Sequence, residues 1–231
     1  MDITHWALSA FPYDPPEEYF NEDVPLPPNL RLRHIKDAMI KTQNVFGMIS
    51  AGFRQNGIKP MTDYVQMNNF SGIVSNVFTN SLDSVSSYKN YSLNSHPDLM
   101  DNSTNTGIEI KAANKPGKGG ESHNGHGGWH LVACYEVEKD SGNIQFSHIM
   151  IGELVSYDVG EIDWHFCKST NEGGRTRHIE TYYTTSRGTQ KLRDGTIYLD
   201  LSLVTNWKRW RTYKSPDYIS PSYSIFRRLR S

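Results

Sequence analysis

The sequence is short of cysteine, of long apolar segments and of net charge. Among 231 residues only Cys134 and Cys167 are cysteines, and their spacing predicts neither a zinc site nor a disulfide framework. No apolar run approaches the roughly 20 residues that a membrane helix needs, and the acidic, proline-rich start differs from a signal peptide. A Walker A loop, a dinucleotide fingerprint, zinc-finger spacing and internal repeats are also missing. These absences predict a soluble protein of the reducing cytoplasm.

The formal net charge of -1 hides an uneven distribution. Residues 1–30 contain six acidic residues and no lysine or arginine, whereas residues 205–231 contain seven basic residues against Asp217 alone. Such asymmetry fits a protein with one phosphate-facing surface and a remote acidic region. It fits equally two segments of opposite charge that pair with each other. The charge therefore permits a nucleic-acid partner without requiring one.

Length and pattern predict a single domain over residues 1–231, built from four parts. Six prolines make residues 1–30 an extended arm whose aromatic side chains pack on the chain's own core or on a second subunit. Residues 31–90 are the helical part. Residues 91–204 carry the sheet and its loops, and residues 205–231 are a basic, aromatic tail.

Apolar spacing predicts the main elements within these parts. Helices are expected over residues 32–55 and from residue 61 to about 88, the second capped by Thr62. Strands are expected at residues 129–138, 143–155, 179–185 and 196–204.

One stretch carries chemistry-bearing residues at a characteristic spacing. Asp98 is followed, after a turn-rich segment at residues 102–107, by the strand-like run Glu109-Ile110-Lys111. Because strand side chains alternate between faces, Glu109 and Lys111 share one face while Ile110 anchors the other in the core. Two carboxylates and an ammonium group then meet at one end of a strand. The competing interpretation is a solvated hairpin that carries ordinary surface charges.

This combination suits metal-dependent hydrolysis of phosphodiesters. Mg²⁺ takes oxygen ligands, usually one or two carboxylates with water and a substrate phosphate. Asp98 and Glu109 supply the carboxylates, and the Ile110 carbonyl offers a further oxygen. Lys111 orients or helps to deprotonate the attacking water and stabilises the charged transition state. Asp83 on the preceding helix is a further acid within possible reach of the metal.

Pro97-Asp98 followed by Glu109-Ile110-Lys111 resembles the PD-(D/E)XK nuclease signature, and residues 61–155 around it resemble a type II restriction endonuclease. The resemblance implies a mixed α/β fold with a restriction-endonuclease-like core, in which helices flank a central mixed β-sheet. It implies Mg²⁺, with Mn²⁺ able to substitute, and Asp98, Glu109 and Ile110 as metal ligands. It also implies cleavage of double-stranded DNA at a short palindromic site by a homodimer in a prokaryotic cytoplasm. A companion DNA methyltransferase belongs to such a system without being a physical partner.

Two glycine-containing loops are predicted to face DNA, since glycine allows close backbone approach while Lys, Asn, His and Arg meet phosphates or base edges. The candidate contacts are Lys115, Lys118, Ser122, His123, Asn124, His126, Arg175, Arg177 and His178. A transition-metal site formed by His123, His126 and His130, or a plain solvent loop, are the alternatives for the first loop.

The tail at residues 206–214 alternates bases with aromatics. This pattern fits either phosphate contact with base stacking or aromatic rings covered by lysine stems.

Two other functions stay open. A structure-selective or repair nuclease, such as a junction resolvase, would keep the fold and cut without regard to sequence. A non-catalytic DNA-binding protein would carry the motif by chance, bind duplex and never cut it.

Overall fold

The computed structural model describes residues 14–91, 96–122, 124–167, 171–172, 175–176, 181–212 and 217–228. Over these ranges the chain is a mixed α/β protein with a central mixed sheet flanked by helices, as the sequence predicts. The α-helices of the described ranges are α1 Leu32–Gln55, α2 Met67–Val85, α3 Ser186–Asp194 and α4 Ile225–Arg228. None of the helices in the described ranges is long and apolar enough to cross a bilayer.

The central sheet has five strands in the order β1-β2-β4-β5-β10. These are β1 Leu99–Asp101, β2 Thr106–Ala113, β4 Gly128–Val137, β5 Ile144–Leu154 and β10 Thr196–Leu199. β2 and β4 pair in parallel, with Glu109 beside His130, and the other neighbouring strands of this sheet in the described part pair antiparallel.

Smaller strands lie beside the central sheet. β3 Glu121–Ser122, β9 Thr181–Thr184 and β6 Trp164–Cys167 form a three-stranded antiparallel sheet. β7 Asn171–Glu172 and β8 Arg175–Thr176 form a two-stranded ribbon.

The two faces of the central sheet have different cores. Ile108 and Ile110 of β2 belong to the larger core, where α1 and α2 contribute phenylalanine side chains. On the opposite face, Val132 and Met150 pack with Trp164 of β6 and with α3. Glu109 and Lys111, which alternate with the two isoleucines, therefore point toward the second face, as the period of two requires.

Residues 14–30 pack against the chain's own core, the first of the two predicted alternatives. Phe20 pairs with Tyr198 of β10, and their ring centroids lie 5.0 Å apart. The Asn21 amide donates hydrogen bonds to the carbonyls of Thr196 and Tyr223, which fixes the segment across the end of the sheet. The aromatic residues of the arm before residue 14 lie outside the described part.

Helix boundaries agree with the sequence for α1 and differ for α2. The segment Met61–Asp63 is a single 3-10 turn, and α2 begins only at Met67 with Gln66 at its N-cap. The assignment of Thr62 as a helix cap is therefore wrong, because the turn ends before the helix starts. The helix α3 lies between two predicted strands, where no helix was expected.

Candidate active site

Asp98 is attached to the edge of β2 by its side chain. β1 pairs with β2 only from Thr106 to Ile108, and among the described strands none covers that edge further along. Two residues past Ile108, the Ile110 amide donates a hydrogen bond of 2.7 Å to Asp98 Oδ2. The carboxylate takes the place of a neighbouring strand at this position. The other oxygen, Oδ1, has no hydrogen-bond partner among the described residues. One carboxylate oxygen is thus fixed by the fold and one is left for a ligand.

Glu109 lies on the same strand in a nearly closed environment, with its side chain only 9% exposed. Lys111 donates a hydrogen bond of 2.6 Å to Glu109 Oε1. His96 Nδ1 lies 2.8 Å from the second oxygen, Oε2. The three predicted residues Asp98, Glu109 and Lys111 are therefore brought together, with a histidine that the motif did not include.

The pKa values of the Asp98 and Glu109 carboxyl groups are shifted in opposite directions. Burial, and then the negative charge of Glu109, raise the pKa of Asp98 above its ordinary value. Burial acts to raise the pKa of Glu109 as well. The contacts with Lys111 and His96 act in the opposite direction and are stronger together, so the net effect is a lowered pKa. A buried carboxylate with a raised pKa beside an ionised one is a place where a cation is stabilised. The donor set, two carboxylates with one unshared oxygen, fits a hard divalent ion.

The Ile110 carbonyl, the third predicted ligand, also points to the uncovered edge. It accepts a hydrogen bond of 3.0 Å from the Ser75 hydroxyl of α2. A carbonyl oxygen has two lone pairs, so this contact leaves one for a further ligand. In the described ranges, no three side chains of the His, Cys, Asp and Glu types are grouped as a metal site. A magnesium ion needs only one or two carboxylates, with water and substrate completing its shell.

Two more histidines lie beside the carboxylates in different environments. The His126 ring stacks on His96, with centroids 3.9 Å apart and an angle of 26°. His130 is 2% exposed on β4, beside Glu109 in register, and its Nε2 has no hydrogen-bond partner in the described structure. Burial lowers the pKa of His130 to about 4, so the ring is neutral at physiological pH. His123, the remaining member of the alternative transition-metal set, lies outside the described residues.

The predicted DNA contacts divide into three groups. Lys115, Lys118 and Asn124 are exposed, and His126 is half-buried against His96. Ser122 is 6% exposed, and its hydroxyl accepts hydrogen bonds from the amides of Asn124 and Gly125. That hydroxyl closes a turn of the protein, and the contact of Ser122 with DNA stays a prediction. The side chain of Arg175, and Arg177 and His178 entirely, lie outside the described part.

Asp83 and the aromatic tail also have structural partners. Asp83 accepts hydrogen bonds from Lys89 and from the Asn90 amide. Its suggested role at the metal site stays a prediction. Trp210, in the 3-10 segment Trp207–Thr212, stacks on the buried His148 with centroids 5.1 Å apart. Trp210 therefore packs on the protein itself, between His148 and Arg193.

Sequence reasoning missed His96 and Ser75. His96 stands two residues before Asp98, and this proximity was a usable signal. Ser75 contacts Ile110 from a helix 35 positions away in the chain, and no local sequence pattern predicts such a contact.

Replacing His96 with alanine is expected to lower the free energy of unfolding by about 1–3 kcal/mol at pH 7, because a buried carboxylate loses a charge-assisted partner. The folded pKa of Glu109 lies below its ordinary value of 4.5, so its stabilisation is present above that pH and fades as the pH falls through the lowered pKa. Urea unfolding at pH 7 and at pH 4 measures both effects.

The matched control for this variant is His165→Ala. His165 pairs with Glu161 at 3.4 Å, but both side chains are more than half exposed. Exposed pairs contribute about 0–1 kcal/mol. Equal losses in the two variants would show that the burial of Glu109 has no energetic consequence.

Comparison of the chain with family models, with curated proteins and with solved structures gives no match in any of the three.

Proposed function

We propose that this protein is an Mg²⁺-dependent deoxyribonuclease with a restriction-endonuclease-like core, which hydrolyses phosphodiester bonds of double-stranded DNA at a short palindromic site. The observation that carries the proposal is the convergence of Asp98, Glu109 and Lys111 at the uncovered edge of β2. Asp98 keeps one free oxygen there while the Ile110 amide holds the other. Glu109 and Lys111 come from β2, and Asp98 comes from the bend directly before β1.

In this proposal, Asp98 Oδ1, Glu109 and the Ile110 carbonyl hold the metal. A bound Mg²⁺ supplies charge stabilisation for the phosphate and lowers the pKa of a water molecule. Lys111, whose ammonium group lies 2.6 Å from Glu109, would orient the attacking water. The water oxygen would lose a proton to the solvent and form a bond to phosphorus. One P–O ester bond would break and its departing oxygen would take up a proton, leaving a phosphomonoester and a hydroxyl group. The lysine charge offsets the negative charge that develops in the transition state.

His96 has a supporting role in this scheme. It contacts the Glu109 oxygen that Lys111 does not use, and so fixes the carboxylate from the other side. Groups that orient a metal ligand in this way commonly affect metal affinity by about 10- to 100-fold when they are removed.

A digestion experiment tests the proposal. The purified protein and an Asp98→Ala variant are each incubated with a long, sequenced, unmethylated duplex and Mg²⁺. Discrete fragments from the wild type alone support a sequence-specific nuclease, and the fragment ends identify the site. Cleavage without sequence preference would point to a structure-selective enzyme of the same fold. Intact DNA with Mg²⁺ and with Mn²⁺, with duplex binding retained, would leave a DNA-binding protein and overturn the catalytic proposal.

The homodimer, the palindromic site and the companion methyltransferase are part of the proposal through the resemblance of the motif region. Sedimentation of the protein, alone and with a duplex that serves as its substrate, tests directly whether it is a dimer. A monomer that still cuts both strands at one site would contradict it.

A further inference from the structure

A cleft runs from Asp98 and Lys111 along the uncovered edge of β2. It has a volume of about 500 Å³ and lies between that edge and the first half of α2. Its far end is lined by Asn114 and Lys118, which follow β2 in the chain. The cleft is therefore continuous with the candidate active site and extends beyond it.

Part of the cleft wall is made of very small side chains. Ala112 and Ala113 line it from β2, and Gly72 lines it from α2. Gly72 is exposed, and a Cβ atom added to it would meet nothing within 4 Å. Such a wall allows an extended backbone to approach the protein closely.

The remaining lining is polar, with more positive than negative charge. Asn68 and Asn76 of α2 are exposed into it, and the side chain of Asn76 has no hydrogen-bond partner among the described residues. Lys111 and Lys118 contribute two positive charges, and Asp98 is the single acid among the described lining residues. Amides and lysines of this kind are the groups that contact sugar and phosphate in nucleic-acid complexes.

We infer that this cleft binds one strand of the nucleic acid, namely the sugar-phosphate backbone on one side of the phosphate that is cut. A volume of about 500 Å³ corresponds to a cube of roughly 8 Å on each side. A duplex does not fit, since its major groove alone is about 12 Å wide. A single backbone fits, with Lys118 and Asn76 at its phosphates. The inference rests on the proposed function for the position of the cut, but binding of the strand is measurable without cleavage.

Filling the cleft at Gly72 tests the inference. Gly72→Leu places a side chain into the open space, and replacing a helical glycine does not destabilise the helix. Gly52→Leu is the matched control, because Gly52 lies on α1 and an added Cβ atom there also meets nothing within 4 Å. Thermal unfolding establishes that both variants are folded.

The measurement is fluorescence anisotropy in EDTA at low salt, with a labelled single-stranded oligonucleotide and with the duplex of the same sequence. Gly72→Leu is expected to weaken binding of both probes at least about tenfold, while Gly52→Leu binds like the wild type. Lys118→Gln is expected to reduce the slope of log K against log salt by about 0.7–0.9, the contribution of one phosphate contact. The exposed Lys139 provides the control variant Lys139→Gln, which leaves the slope unchanged.

The outcomes separate this inference from the proposed function. Wild-type binding by Gly72→Leu would overturn the inference, and DNA cleavage by the same variant would leave the nuclease proposal intact. A third outcome is a wild type that binds DNA but does not cut it with any divalent ion, together with a Gly72→Leu variant that has lost binding. That outcome would support the cleft and overturn the nuclease proposal. A wild type that binds neither probe would overturn the inference.

Discussion

Replacing Lys111 with alanine is expected to reduce DNA cleavage by about 10²- to 10⁴-fold, the range that a positioned proton-transfer group contributes. The lysine is one-third exposed at the cleft, and its ammonium group lies 2.6 Å from Glu109. Lys118 and the asparagines of the cleft remain in the variant, so most of the binding of duplex DNA is retained. Single-turnover cleavage with Mg²⁺, together with anisotropy in EDTA, separates the two properties.

The fold of the Lys111→Ala variant needs its own measurement. Glu109 loses its main positive partner, so burial raises the pKa of this carboxyl and the free energy of unfolding falls at neutral pH. Thermal unfolding shows the temperature range in which the variant is native, and cleavage is compared within it. Lys139→Ala is the control, since Lys139 is exposed in the turn between β4 and β5. Cleavage by Lys111→Ala at the wild-type rate would remove the lysine from the mechanism.

The parts of the fold that local periodicity encodes were predictable. The apolar spacing of residues 32–55 gives α1 its bounds, since a helix must turn one face to the core. Alternation in β2 correctly placed Ile108 and Ile110 in the core and Glu109 on the other face. These features depend on the geometry of one element and on burial, both of which a single segment specifies.

Other elements depend on contacts that the sequence pattern does not show. Leu192 is the single hydrophobic residue of α3, and it is buried in the core, so the helix shows no apolar period. The helix is capped by Thr185, whose hydroxyl accepts a hydrogen bond from the Gly188 amide. The helix ends at Asp194 with Gly195 as its C-cap, directly before β10. Capping residues also occur in ordinary turns, which is why the signal was ambiguous.

The candidate site divides in the same way. The spacing of Asp98, Glu109 and Lys111 was visible in the sequence. A short hairpin joins the two segments that carry them, so their proximity in space could be predicted. The burial of Ser122, and the contact from Ser75 to the Ile110 carbonyl, arise from packing between distant segments. Local reasoning therefore found the three charged residues of the motif and missed His96 and Ser75 beside them.

Asp98→Asn is expected to abolish cleavage and yet to make the metal-free protein more stable than the wild type. Burial and the charge of Glu109 raise the pKa of Asp98, so ionisation of this group is unfavourable in the folded state. The resulting cost is present above the folded pKa and disappears below the ordinary value of 3.8. Asparagine has no charge to be repelled, and its carbonyl oxygen still accepts the hydrogen bond from Ile110. The advantage of the variant should thus be seen at pH 7 and vanish as the solution is acidified.

Asp98→Ala separates the charge of this residue from its hydrogen bond. Alanine leaves the Ile110 amide without an acceptor, and Ile110 is only 1% exposed. An unsatisfied buried donor costs about 1–3 kcal/mol, so Asp98→Ala should be less stable than Asp98→Asn by that amount. Urea unfolding in EDTA at pH 7 compares the three proteins.

Adding Mg²⁺ to the same samples tests the role of Asp98 as a ligand. An ion that binds only the native state stabilises it by about 2.7 kcal/mol at 100 times its Kd. The wild type is expected to gain stability on this scale, and Asp98→Asn to gain far less, which would reverse their order. A wild type that is more stable than Asp98→Asn in EDTA would contradict the repulsion between the carboxylates. An equal gain in both proteins would place the metal elsewhere, because the two differ at this site only in the charge that is meant to hold it.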